Sequence, residues 1–273
     1  MRMIPFGLPA AGVALAALAA SLVIGCDDKK PSLPPAAMSL ASATPPPPTS
    51  TLARFAIDSA SKTTLLMDAP IEKIKASATN AAGSLDIDLA NVPVSRGEVK
   101  IDLSTLTTSS FGDAAKDALQ TQHARTWLEV GDGEDGKLDD KVKDANRWAI
   151  YAIRSVENVS APDVTKLAPT KEGADDVRTV TLTTKGELLV HGIKTPRDAD
   201  VELKFRYDAG SPATKPRELS ITSRKPFRVV LADHEVKPRD GLGKLKKSAF
   251  QLLGTKVADN ADITLDLRAK PQP

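Results

Sequence analysis

The sequence has one cysteine, three histidines and only 4% aromatic residues in 273. A single Cys cannot form an intramolecular disulfide, so the fold must be held by its core and its hydrogen bonds. The histidines, at positions 123, 191 and 234, are far apart and show none of the spacings of a zinc site. Neither charge dominates: 37 Lys and Arg against 35 Asp and Glu leave a formal +2. That balance argues against general nucleic-acid binding, which needs a concentrated basic surface. The longest apolar run, residues 10–24, is too short for a comfortable membrane span. No Gly-x-Ser-x-Gly elbow is present, and the one thiol is committed elsewhere, so nucleophilic chemistry has no obvious residue.

What is present begins with an export signal. Arg2 gives a positive start, the apolar run follows, and Leu22-Val23-Ile24-Gly25-Cys26 ends it. This ending resembles a bacterial lipoprotein signal, in which Cys26 is acylated, palmitate included, and becomes the first residue after removal of residues 1–25. Loss of Arg2 would take the formal charge from +2 to +1. The resemblance implies a lipid-anchored, periplasm-facing protein of a bacterial envelope. The membrane, inner or outer, stays open. Residues 26–50 then read as a linker, rich in proline at 31, 34, 35 and 45–48. At about 3.1 Å per residue it could reach roughly 70 Å in extended form.

Residues 51–270 are expected to form one all-β domain, because alternation of period two recurs through them. Leu85, Ile87 and Leu89 alternate with Asp86 and Asp88; Val99, Ile101 and Leu103 alternate with Lys100 and Asp102. One face of these strands should be dry and the other wet, as in an antiparallel barrel. The strongest hairpin signal lies in residues 180–207, where Val201, Leu203, Phe205 and Tyr207 alternate with Glu202, Lys204 and Arg206, and residues 192–198 read as the turn. The alternation stops after Thr108. There Ser110 or Asp113 can cap one helix running to Trp127, with Ala115, Leu119, His123 and Trp127 on one side.

Taken in order, these elements resemble the YceI-like family. Phe55-Ala56-Ile57-Asp58 is similar to its first strand, residues 83–106 to its next pair, and residues 117–130 to its helical segment. Gly186-Glu187-Leu188-Leu189-Val190-His191-Gly192-Ile193-Lys194-Thr195-Pro196 resembles its most specific motif, and residues 259–267 its closing strand. Two departures stand out. Ser59-Ala60-Ser61 replaces a His-Ser pair of the family, and Lys116-Asp117-Ala118-Leu119 only loosely matches an Arg-Asp-x-His-Leu run. The resemblance implies an extended, lipocalin-like antiparallel β-barrel holding a polyisoprenoid or similar amphiphile, with no cofactor and no catalysis.

Such a barrel needs an apolar interior that its own side chains do not fill. The inward candidates are Leu85, Ile87, Val99, Ile101, Leu203 and Phe205, with Trp127 placed to close a mouth. Low aromatic content leaves few bulky plugs. Two other classes remain: a structural or adhesion module contacting another envelope protein, expected to have a filled interior, and a hydrolase, expected only if a histidine converges with an acid. The basic cluster Lys237, Arg239, Lys244, Lys246 and Lys247 reads as a solvated run, and Gly241-Leu242-Gly243 within it lacks the setting of a phosphate loop. The acidic residues 131–140 fail the calcium-loop pattern, so no metal is expected there.

Overall fold

The computed structural model describes residues 40, 44, 46–68, 73–133, 136–236 and 258–272. The expected leader, Cys26, most of the expected linker and the basic cluster from Lys237 to Lys247 lie outside them. Thirteen strands are described: β1 Leu52–Ile57, β2 Lys62–Asp68, β3 Lys73–Ala78, β4 Ala81–Asp88, β5 Arg96–Asp102, β6 Thr107–Thr108, β7 Trp148–Glu157, β8 Thr170–Glu172, β9 Asp175–Val190, β10 Ile193–Tyr207, β11 Glu218–Ser223, β12 Phe227–Val230 and β13 Asn260–Pro271. Two helices accompany them, α1 Ala114–Trp127 and α2 Asp140–Asn146.

All strand pairings are antiparallel. The order β1-β4-β5-β7-β9-β10-β11-β13 closes on itself where Phe55 of β1 meets Pro271 of β13, giving an eight-stranded ring. The N-terminal half of β13 also pairs with β2, from which β3 and β6 continue. The all-β expectation therefore holds, with α2, which starts at the last residue of the acidic stretch 131–140, as a second helix beside the one expected.

The long hairpin β9–β10 organises the ring. Its turn is tighter than the sequence suggests: Val190 already pairs with Ile193, and His191 and Gly192 take φ values of +50° and +74°. Two successive left-handed residues form the turn whose twist suits a hairpin. Pro196 therefore lies within β10, opposite Glu187. Among the described residues β11 joins β10 only from Val201 onward, so Pro196 sits where a missing N–H disturbs no second ladder.

One end of the ring is solidly packed. Phe55, Phe205, Tyr207, Leu219, Leu89 and Val164 are completely buried, with the Phe55 and Phe205 rings 6.3 Å apart and tilted by 55°. Two short 3-10 turns, Val92–Val94 and Val164–Lys166, seal this end through Val92 N–H to Pro162 O (2.8 Å) and Val164 N–H to Leu89 O (2.7 Å). The segment after Ala161 thus supplies part of the floor.

Strict wet and dry faces fail at the strand ends. Asp88 and Asp102, expected on the wet face, are both buried. Burial alone would raise the Asp102 pKa, but Arg147 (Nη2 at 2.6 Å), Ser104 and Asn80 all donate to it, and the net shift is downward. Asp88 is likewise lowered against burial by Thr51, Ala90 and Thr49. Each carboxylate gathers donors from loops that would otherwise leave buried groups unpaired.

Asp113 caps α1 by accepting from Ala115 N–H and Lys116 N–H, as its spacing predicts. The buried side of the helix differs from the expected stripe: Ala124 is buried and Leu119 is exposed. Leu40, inside the expected linker, is buried against Ala152 and Leu189 on the outer side of β7 and β9.

At the tip of the hairpin the 3-10 turn Leu231–His234 is fastened by His234, which is fully buried. Its Nδ1–H donates to Ile193 O (3.1 Å) and Val190 O (3.3 Å), and its Nε2 lies 3.1 Å from the Thr195 hydroxyl. Burial lowers its pKa below 6.5, with Arg197 adding to the effect against the backbone carbonyls and Asp233. A lowered folded-state pKa means that the unfolded chain takes up the proton first. The contribution is thus complete above about pH 6.5 and drains as the pH falls below it. We expect urea midpoints to show His234→Asn as clearly destabilising at neutral pH, with the gap to the parent protein narrowing on acidification toward pH ~5. A gap that is constant over this range would remove His234 as the acid-sensitive fastening.

Candidate functional site

The interior is shaped by residue size along the inward faces. On β10 the inward positions run Tyr207, Phe205, Leu203, Val201, Ala199 from the packed end toward the hairpin tip. Side-chain volume falls at every step. Opposite, β9 places Thr184 against Ala199 and Gly186 against Arg197. The middle of the ring is therefore lined by small residues, and two cavities open there, of about 130 Å³ and about 60 Å³.

The larger cavity lies toward the hairpin tip, among Leu65, Leu188, Phe227, Val229, Ile263 and Leu265. The smaller lies nearer the packed end, among Leu85, Ile87, Leu182, Val201, Leu203 and Leu267. Val99, Tyr151, Ala199 and Leu265 line both. Tyr151 is the bulky member of this shared wall. Its ring lies so close to Gly186 that a Cβ there would sit 2.6 Å from Cζ, and 2.5 Å from Ala152 O. Only glycine accommodates that approach. The phenol is 3.0 Å from both Arg197 O and the Thr184 hydroxyl, and burial pushes its pKa up to about 12. It is a neutral, anchored partition.

Of the residues expected to face a ligand, Leu85, Ile87 and Leu203 line the smaller cavity, Ile101 the larger, and Val99 both. Phe205 belongs to the packed end. Trp127 ends α1, and its neighbour Leu128 reaches the larger cavity instead. Tyr151 escaped the sequence reading, although its inward parity with Ala149 and Ile153 on β7 was available. Phe227 and Val229 lie on β12, a segment legible as a strand, but four residues do not tell which side faces a cavity.

One histidine does converge with an acid. His191 Nε2 lies 2.7 Å from Glu129 Oε2, His191 Nδ1 3.1 Å from His234 O, and Asn146 also donates to Glu129. The third, His123, lies on α1. Glu129, His191 and Glu235 all have positive φ, at the end of α1, in the hairpin turn and after the 3-10 turn respectively. The three chain reversals meet here. A carbonyl only accepts, so His191 Nδ1–H donates to His234 O, while Nε2 meets the Glu129 carboxylate. This arrangement ties the reversals together.

The Thr195–His234 contact resembles half of a nucleophile–base pair, but its imidazole is held by two carbonyls with no carboxylate behind it. Taking a proton would place a buried cation close to Arg197, and the lowered pKa makes it a poor base. Among the described residues no group of three His, Cys, Asp or Glu is placed to hold a metal ion.

No family model and no curated protein matches this sequence. Among solved structures, the chain is similar to a polyisoprenoid-binding domain from Saccharophagus degradans implicated in plant cell wall breakdown, at 14% identity and a TM-score of 0.47, over 81% of this chain and 99% of that one. It is similar to BcnA of Burkholderia cenocepacia at 12% identity and a TM-score of 0.45, over 78% of this chain and 99% of that one. It is also similar to a mutant CJ YceI protein at 12% identity and a TM-score of 0.37, over 72% of this chain and 85% of that one.

Proposed function

We propose that this domain binds the apolar tail of a polyisoprenoid or similar amphiphile inside the ring, without covalent chemistry. The observation that carries the reading is the pair of apolar-lined cavities in series above a sealed floor. An apolar cavity of about 150 Å³ is large enough to admit a benzene. The larger cavity therefore takes one short branched segment, and a longer chain must pass Tyr151 into the smaller one. The driving force is burial of methylenes at about 0.8 kcal/mol each. A module using only its outer surface would have no reason to keep this space open, because each void weakens the core.

We further propose that Cys26 carries the lipid anchor and holds the domain on the periplasmic side of a bacterial envelope membrane. Leu40 docks on the outside of β7 and β9, so the free part of the tether is shorter than residues 26–50.

Native mass spectrometry of the chain from Asp27 onward, exported through a conventional leader, tests the binding. All described contacts are retained in that form. A stoichiometric apolar mass that leaves on denaturation is the expected result, with Tyr151→Ala shifting the carried masses toward longer chains and Tyr151→Phe leaving them unchanged. A clean apo mass that takes up no added isoprenoid would end the reading. Metabolic labelling tests the anchor separately: palmitate enters the full-length protein and not Cys26→Ser, and equal labelling of the two would move the anchor elsewhere.

A further inference from the structure

The outer face of β7 and β9 changes character along its length. Tyr151 and Leu188 point into the ring, so their neighbours in the strands point out. Nearer the packed end these outward positions are charged: Lys185 Nζ lies 2.9 Å from Glu157 Oε2, and Arg154 Nε donates to Glu187 at 2.7 Å. Toward the hairpin tip they become apolar, as Ile150, Ala152 and Leu189. Ala152 and Leu189 are only 1% and 4% exposed although they face away from both cavities. Among the described residues, what packs on them from outside is Leu40, itself 6% exposed.

Leu40 and the start of β1 lie at opposite ends of the ring. The Thr49 and Thr51 hydroxyls donate to Asp88 at 3.1 and 2.6 Å, and Leu89 N–H donates to Thr51 O, beside the bond from Val164 that seals the packed end. Leu40 instead meets Leu189, the residue before the Val190–Ile193 pair that closes the hairpin. The nine residues from Leu40 to Thr49 can span about 30 Å in extended form. Pro46, Pro47 and Pro48 already favour an extended chain, so little freedom is lost on docking, and Pro46 is buried as well. Without Leu40 the chain toward Cys26 would leave the ring at its packed end. With Leu40 docked it leaves beside the tip.

We propose that Leu40 decides which end of the ring meets the membrane: it turns the hairpin tip, with the larger cavity behind it, toward the lipid surface and the packed end away from it. This orientation rests on the reading of Cys26 as the anchor. The tether left free, residues 27–39, reaches about 40 Å. The fifteen residues of β10 run from the tip to the packed end. At about 3.3 Å per residue and the usual strand tilt they cover about 40 Å along the ring axis. For the packed end to touch the bilayer, the tether would have to run back along the ring and would use all its length. The tip meets no such limit.

The test uses the full-length protein, processed in a bacterial host and reconstituted on phosphatidylcholine vesicles that carry a lipid-linked energy acceptor. Acylation consumes the one native thiol, so a fluorescent donor goes on a single introduced cysteine. Lys141→Cys places it on α2, which Asn146 and Glu129 tie to the hairpin tip; Lys215→Cys places it in the loop after Tyr207, at the packed end. Both positions are exposed. The donor at 141 is expected to lose most of its emission to the membrane acceptor and the donor at 215 to keep most of its own. Leu40→Ser abolishes or reverses that difference while the circular dichroism spectrum is retained. A spacer of about twenty Gly and Ser residues placed before Leu40 lessens it with every described residue unchanged. Equal transfer from both donors, greater transfer from 215, or a difference that survives both the Leu40→Ser change and the spacer overturns the orientation. Retention on vesicles is measured first: if the protein does not stay bound, or Cys26→Ser stays bound equally well, the anchor reading itself fails, and the two failures are told apart.

Discussion

The interior depends on a constraint of size: on β10 the inward side chains shrink from Tyr207 through Phe205, Leu203 and Val201 to Ala199. A ring of eight strands encloses a roughly constant cross-section, so what fills it is set by the side chains pointing in. Where tyrosine and phenylalanine enter, with Phe55 and Leu219 facing them, no space is left. Where alanine, Thr184 and Gly186 face one another, space opens and Tyr151 takes part of it. One gradient thus yields a floor, a partition and two cavities.

Polar groups are arranged around this gradient so that nearly every buried one is satisfied. Asp88 and Asp102 gather loop N–H and hydroxyl donors at strand ends, and Arg147 balances the charge of Asp102. Glu129, His191 and His234 tie together three chain reversals at the hairpin tip. Such networks stabilise by avoiding unmet buried groups more than by any gain per bond.

Binding and catalysis place different demands on these groups. A base must hold a proton reversibly near neutral pH, whereas burial keeps His234 neutral and Tyr151 protonated. Both are suited to holding shape. On the outside, Leu40 packs against Ala152 and Leu189.

Much of the fold was legible from local spacing. Alternation around Leu85, Val99 and Val201 marks strands because successive side chains of an extended chain must face opposite ways, and Asp113 marks the start of α1 because its carboxylate reaches two free N–H groups. Composition is also what divides the sequence into an expected leader, an expected linker and an expected domain. Spacing could not say that residues 193–198 belong to a strand, that Asp102 is buried, or that Phe205 plugs while Leu203 lines a cavity. Those outcomes follow from closure of β1 on β13 and from the β7–β9 register, which bring together residues more than thirty positions apart, as with Tyr151 and Gly186. Side-chain direction is a local property of a strand. Empty volume is the difference between what a closed ring encloses and what all its inward residues fill, and only the tertiary structure determines it.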